Sequence, residues 1–201
     1  MFKYLFVILC FSVGYASDMH GQKIESLKKA KSSTELSNTN SIIYGSFIQR
    51  LGFSSGGFPQ YIRLLNIATN EVYSFNVKPT MKTGKEIPFC YYIKPGEYRI
   101  LNYFWTQSKW YGGLIHQEPI YKNIDTSTND FAKQNISGKI DLSNLNFYII
   151  KIVDNAINYL GTWHFNTGLV SFSNNKEKLD EEMKEKYQSI CFENAAIRIP
   201  E

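Results

Sequence analysis

The sequence is poor in the groupings that carry chemistry. It has no Gly-x-Ser-x-Gly elbow, no reactive-cysteine signature and no Gly-Lys-Ser/Thr ending to the glycine-rich stretch Gly52 to Gly57. Asp125 to Asp130 lacks the glycine and the terminal glutamate of a calcium loop. There are only 3 histidines and 3 cysteines in 201 residues. No block of one charge sign stands out: Lys28, Lys29 and Lys31 cluster between Glu25 and Glu35, and the net charge is +4. A nucleic-acid binder needs a stronger basic stripe than that. No apolar run reaches the about 20 residues that span a bilayer as a helix. A nucleophile, base and acid would therefore have to be assembled in space from distant positions.

What is present begins with a targeting pattern. Met1-Phe2-Lys3 is a short basic start, Tyr4 to Val13 carries no charge, and Gly14-Tyr15-Ala16 is a small-x-small cleavage site. The expectation is a signal peptide over residues 1–16 and an exported product, in a periplasm, in a cell envelope or secreted. Cys10 raises the alternative of a lipid anchor, but Leu9 stands where a small residue is needed before a lipidated cysteine. Asn135-Ile136-Ser137 would accept a glycan in a eukaryotic secretory route. Cys90 and Cys191 remain after cleavage. A bridge between them would close a loop of about a hundred residues, worth about 4.7 kcal/mol in the chain-entropy model. Cys90 lies in an apolar strand, however, where a free thiol serves as a small hydrophobe.

Residues 17–40 are polar and read as a flexible leader, with at most a short helix over Ile24 to Ala30. From residue 41 to 201 short apolar runs alternate with turn residues, as in a β domain. Strands are expected over Ser41 to Leu51, Pro59 to Ala68, Glu71 to Val77, Ile87 to Ile93, Tyr98 to Thr106, Asn146 to Val153, Ala156 to Phe165 and Leu169 to Phe172. Thr69-Asn70, Lys94-Pro95-Gly96-Glu97, Asp154-Asn155 and Asn166-Thr167-Gly168 would close turns. Gln107 to Lys139 is the least regular part, with a strand around Leu114 to Tyr121. A helix capped by Asn174 or Asn175 carries Leu179, Met183 and Tyr187 on one narrow stripe, and Ala195 to Ile199 reads as a last strand or tail. The predicted architecture is an antiparallel β-sandwich of about nine strands with one C-terminal surface helix; a closed lipocalin-like barrel is the alternative.

Phe89-Cys90-Tyr91-Tyr92-Ile93-Lys94-Pro95-Gly96-Glu97-Tyr98-Arg99-Ile100 resembles the Pro-Gly hairpin of transthyretin-like and carboxypeptidase-regulatory-like β-sandwich domains. Tyr159-Leu160-Gly161-Thr162-Trp163-His164-Phe165, followed by a strand and a charged helix, is similar to the C-terminal part of small exported bacterial envelope proteins. The resemblance implies a fold and a compartment, and brings no catalytic residue with it.

Aromatic residues make up 15% of the chain. Tyr103, Phe104, Trp105, Trp110 and Tyr111 are denser than strand alternation requires, and one of Phe104 and Trp105 must look outward. Trp105, Trp110 and Tyr111 are the candidate binding residues, beside a glycine-rich loop and suited to a sugar or protein contact. His116 and Glu118 share one face of a strand, a pair of possible ligand types without a third, so no metal or cofactor is expected. His164 faces away from Trp163 and Phe165, and His20 lies in the leader. The functional expectation is a non-enzymatic exported module that binds a protein or a cell-surface polymer. An extracytoplasmic hydrolase and a carrier of a small apolar ligand are the alternatives.

Overall fold

The structure, a computed structural model, describes residues 23–31, 40–50, 58–79, 86–109, 112–141 and 144–201. The expected signal peptide, with Cys10 and His20, lies outside the described residues. Eleven strands among them form two sheets, neither closed into a barrel. The first sheet holds β1 (Ile24–Ser26), β3 (Gln60–Asn66), β4 (Val72–Lys78), β6 (Gly96–Lys109), β7 (Gly112–Pro119) and β8 (Ile149–Ile152). The second holds β2 (Ser41–Ile48), β5 (Glu86–Ile93), β9 (Ile157–His164), β10 (Ser171–Ser173) and β11 (Ala196–Ile197). Helix α1 (Asn129–Ile136) leaves the least regular stretch, and α2 (Lys176–Lys186) is the expected C-terminal helix.

Both sheets are mixed. β1 runs parallel to β4, and β9 runs parallel to both β2 and β11. The all-antiparallel expectation is corrected on this point, and the physical reason lies in the connections. Lys94-Pro95 does not close a hairpin: β5 pairs with β2, whereas β6 pairs with β3, β7 and β8. Likewise Asp154-Asn155 carries the chain from β8 in the first sheet to β9 in the second. Both links are arches between sheets. Local turn chemistry is the same for a hairpin and an arch, since each needs only a reversal of direction. Asn155 takes φ 45°, and the side chain of Asn158 ties the arch by accepting from Val153 N at 2.9 Å and donating to Ala156 O at 3.1 Å. The hairpin from β3 to β4 does form, with Asn66 Oδ1 accepting from the backbone N–H of Ala68 and Thr69.

The space between the sheets is a core of alternating strand residues: Ile62 and Leu64, Tyr73 and Phe75, Phe89 and Tyr91, Tyr98 and Ile100, Trp163 and Phe165. Phe75 touches Phe89, Tyr91 and Trp163 with ring centroids 5.3–6.0 Å apart, so rings fill the middle. A second core lies on the far side of the second sheet, where Tyr44 and Tyr159 meet Leu179 and Met183 of α2, Tyr187 and Phe192. Tyr44 Oη donates to Asp180 Oδ1 at 2.6 Å, and Lys176 Nζ reaches Asp180 Oδ2 at 2.6 Å, so α2 is fixed by polar as well as apolar contacts. β2 and β9 are buried on both faces, as expected of parallel neighbours covered by a helix.

Each sheet contains a strand that changes partner at a bulge. β9 pairs with β11 up to Tyr159 and with β10 from Thr162, while its register on β2 shifts between Tyr44 and Ser46. β6 pairs with β8 up to Arg99 and with β7 from Asn102, while its register on β3 shifts between Arg63 and Leu64. A bulge exchanges the two faces of a strand. Ile157 and Tyr159 therefore face α2, whereas Trp163 and Phe165 face the inter-sheet core; unbroken period-two alternation along Ala156 to Phe165 would have put all four on one face. Gly161 takes φ +84° at the bulge, and a Cβ there would lie 2.8 Å from Ser173 O.

The leader is corrected in part. Residues 23–31 run along the sheets: β1 pairs with Val72–Ser74, Leu27 N donates to Ser74 O, Tyr92 N donates to Lys28 O, and Ala30 N donates to Cys90 O. This stretch passes from the edge strand β4 of one sheet to the edge strand β5 of the other, masking two edges at once. Ile24–Ser26 form a strand in a stretch read from the sequence as a flexible leader with at most a short helix.

Candidate functional site

The predicted aromatic cluster divides. Trp105 points into the core at 8% exposure, against Tyr103 and stacked on the His116 imidazole with centroids 4.9 Å apart and planes within 8°. The sequence reading makes it a candidate binding residue with an exposed ring; here the ring is packed in the core. The cause is the bulge in β6, which sets Tyr103 and Trp105 inward together with Tyr98 and Ile100. Trp110 and Tyr111 lie outside the described residues, between β6 and β7.

Phe104 is the residue that looks outward. Its ring stacks on Tyr61, opposite it on β3, with centroids 5.0 Å apart and an interplanar angle of 17°. The Arg63 guanidinium lies 4.1 Å from the Phe104 centroid and donates to Gln117 Oε1 at 3.3 Å. Farther along the same face, the Arg99 guanidinium lies 4.1 Å from the centroid of Phe147. Partial burial lowers the pKa of Arg63, which still leaves it cationic. The Nε atoms of Arg63 and Arg99 are shielded from solvent without a hydrogen-bond partner. Neither arginine forms an ion pair among the described residues. The alternation Tyr61, Arg63, Leu65 was visible in the sequence and announces one face; what it faces was not.

His116 and Glu118 share the inner face of β7, as their spacing indicated. Glu118 turns to Arg50, 3.2 Å away, in an ion pair without hydrogen-bond alignment. Burial raises the pKa of Glu118, Arg50 opposes the rise and Asp125 adds to it. His116 Nε2 is buried without a partner. Among the described residues no three His, Cys, Asp or Glu side chains converge to hold a metal.

A third polar group lies on the second sheet beside the start of α2. Ser46 Oγ donates to Glu86 Oε1 at 2.6 Å and lies 2.9 Å from Thr162 Oγ1. Asn175 Nδ2 reaches Thr162 Oγ1 and Ser173 Oγ, each at 3.3 Å, and His164 Nε2 lies 2.8 Å from Ser173 Oγ. Burial works against the Glu86 carboxylate, but Ser46, Lys178 and Thr162 together hold its pKa below the usual range. Ser173 and His164 make a dyad; among the described contacts no carboxylate orients the imidazole.

Cys90 is buried under α2, where desolvation pushes its thiol pKa up to about 12, and Cys191 is exposed. The two thiols are unpaired. No helix among the described residues is long and apolar enough to cross a membrane.

No protein-family model matches the chain, and no curated protein sequence matches it. Among solved structures, a leucine-rich repeat protein from Bacteroides thetaiotaomicron is similar at a TM-score of 0.35 and 7% identity. The match covers 75% of this chain and 16% of that one, and a likeness this slight carries no argument.

Proposed function

We propose that this chain is an exported, non-enzymatic binding module of the cell envelope or the extracellular space, and that the outer face of its first sheet meets the partner. The amino-terminal pattern of residues 1–16 supports export. The transthyretin-like resemblance supports a β-sandwich fold and an exported compartment, and the two sheets face across one aromatic core. The observation that carries the reading is the contrast between the outer faces. One is sealed by α2 and Phe192, while the other keeps Tyr61, Arg63, Arg99 and Phe104 half-buried, with Phe147 lying on Arg99 at one end. The ring-filled interior argues against a carrier for an apolar ligand.

The test is affinity capture from the native envelope with the full chain and with the double variant Arg63→Gln, Phe104→Ala. The variant should lose its partner while melting at nearly the temperature of the parent. Retained capture would remove this face from the account. A second reading, an extracytoplasmic hydrolase, draws on the 2.8 Å contact of His164 with Ser173. Hydrolysis of activated esters that disappears in Ser173→Ala would favour it; no turnover in either protein would end it.

A further inference from the structure

The open face has a chemistry specific enough to name its ligand class. Leu65 stands opposite Arg99 in the register of β3 on β6, and Arg63 is two residues along the same face of β3. Such diagonal neighbours have side-chain origins about 7–8 Å apart. Each guanidinium rests on an aromatic ring, 4.1 Å from its centroid, and Arg63 also donates one N–H to Gln117 Oε1. Phe104 is already engaged by Tyr61 and by Arg63, so it offers mainly its electropositive edge rather than a free ring face. Glu97 shares the face of Arg99 on β6 but pairs with Lys151 at 3.8 Å, and among the described residues neither arginine has an ion-pair partner. Leu65 and Leu101, both half-buried, lie between them.

We infer that this face binds the oxyanion groups of a polyanionic polysaccharide, an inference that rests on the binding-module reading above. Two oriented forks favour carboxylate, sulfate or phosphate oxygens, which accept paired N–H bonds. Two guanidinium groups alone give a small anion few contacts. A polymer gains from repeated weak contacts through effective concentration. An acidic peptide docks more readily by extending a sheet edge, and β3 and β6 are interior strands of their sheet. The shallow floor of Leu65 and Leu101 suits the apolar side of a sugar ring.

The purified full chain is tested against polygalacturonate, heparin, a phosphorylated mannan, neutral dextran and poly-L-glutamate at two salt concentrations. At least one acidic polysaccharide should bind and dextran should not, with affinity falling as salt rises. Its charge type then separates carboxylate, sulfate and phosphate as the group recognised. Arg63→Gln with Arg99→Gln should weaken binding at least tenfold at an unchanged melting temperature, Arg63→Lys should weaken it less, and Lys178→Gln on the opposite face should leave it unchanged. Binding that survives the double arginine variant, tighter binding of poly-L-glutamate, or equal binding of dextran would each overturn the inference. If every polymer fails while capture from the envelope still depends on Arg63 and Phe104, the ligand class is overturned and the binding module stands. If capture is also indifferent to those residues, both fall.

Discussion

The two outer faces of the sandwich are built from similar residue types and are covered to different extents. On the second sheet, Tyr44 and Tyr159 lie under α2 and Phe192, and the strands beneath are buried on both sides. On the first sheet, Tyr61 and Phe104 remain half-buried, and arginines rather than leucine and methionine lie against the rings. An aromatic residue in a strand is therefore no sign of core by itself. Its neighbours two positions away on the same face decide whether it is sealed or presented.

Replacing one phenylalanine on each face gives the sharpest test of that contrast. Phe192, fully buried with its ring 4.8 Å from that of Tyr44, should lose about 3–5 kcal/mol of stability on substitution by alanine. Phe104→Ala should lose less than about 1.5 kcal/mol, because part of that ring is already in water. Denaturant titration of both variants measures the difference, and equal losses would break the comparison.

A smaller effect is expected where polar groups hold the cover in place. Asp180→Ala removes the acceptor of Tyr44 and the counter-charge of Lys176, which keeps only the carbonyls of Phe192 and Glu193, and should cost about 2–3 kcal/mol. If α2 were a loosely attached surface helix, the loss would stay near that of an exposed ion pair, below about 1 kcal/mol.

The bulge that divides β9 between the two cores is tested by Gly161→Ala. Positive φ and a Cβ 2.8 Å from Ser173 O should together cost about 1–3 kcal/mol. A neutral result would mean that β9 does not reverse its faces at this residue.

The smallest expected effects are in pH dependence, and their signs differ between the two carboxylates. The pKa of Glu86 is held below its unfolded value. Its contribution is therefore present above the unfolded pKa and lost as pH falls through the folded one. Glu118 is raised by burial, so its contribution is greatest below the unfolded carboxylate pKa and declines as pH climbs to the folded value. Stability measured against pH should show less acid sensitivity in Glu86→Gln. Glu118→Gln should show a smaller decline on raising the pH from the acid side. Slopes of the same sign in the two variants would contradict these environments.

Period-two alternation located most strands in the sequence, and the helical stripe of Leu179, Met183 and Tyr187 located α2 and the side it buries. Pairing was less legible. Lys94-Pro95 and Asp154-Asn155 have turn chemistry that says nothing about which sheet the chain enters next. Single-residue bulges at Leu101 and Gly161 reverse alternation without leaving a local pattern, and this moved Trp105 inward. Helix α1 was missed because it buries none of its residues; its one signal was Thr128, whose hydroxyl accepts from Phe131 N. The arginines of the open face were readable as strand residues, but their rings come from strands and loops distant in sequence.

Oxidative footprinting of aromatic side chains, with and without an acidic polysaccharide, tests the opposed faces most directly. Tyr61 and Phe104 should label readily in the free chain and become protected when the polymer is added, while Tyr44, Trp163 and Phe192 stay protected throughout. Fast labelling of Phe192 and Tyr44, or a polymer that leaves Tyr61 and Phe104 as reactive as before, would contradict the assignment of one face to the fold and the other to binding.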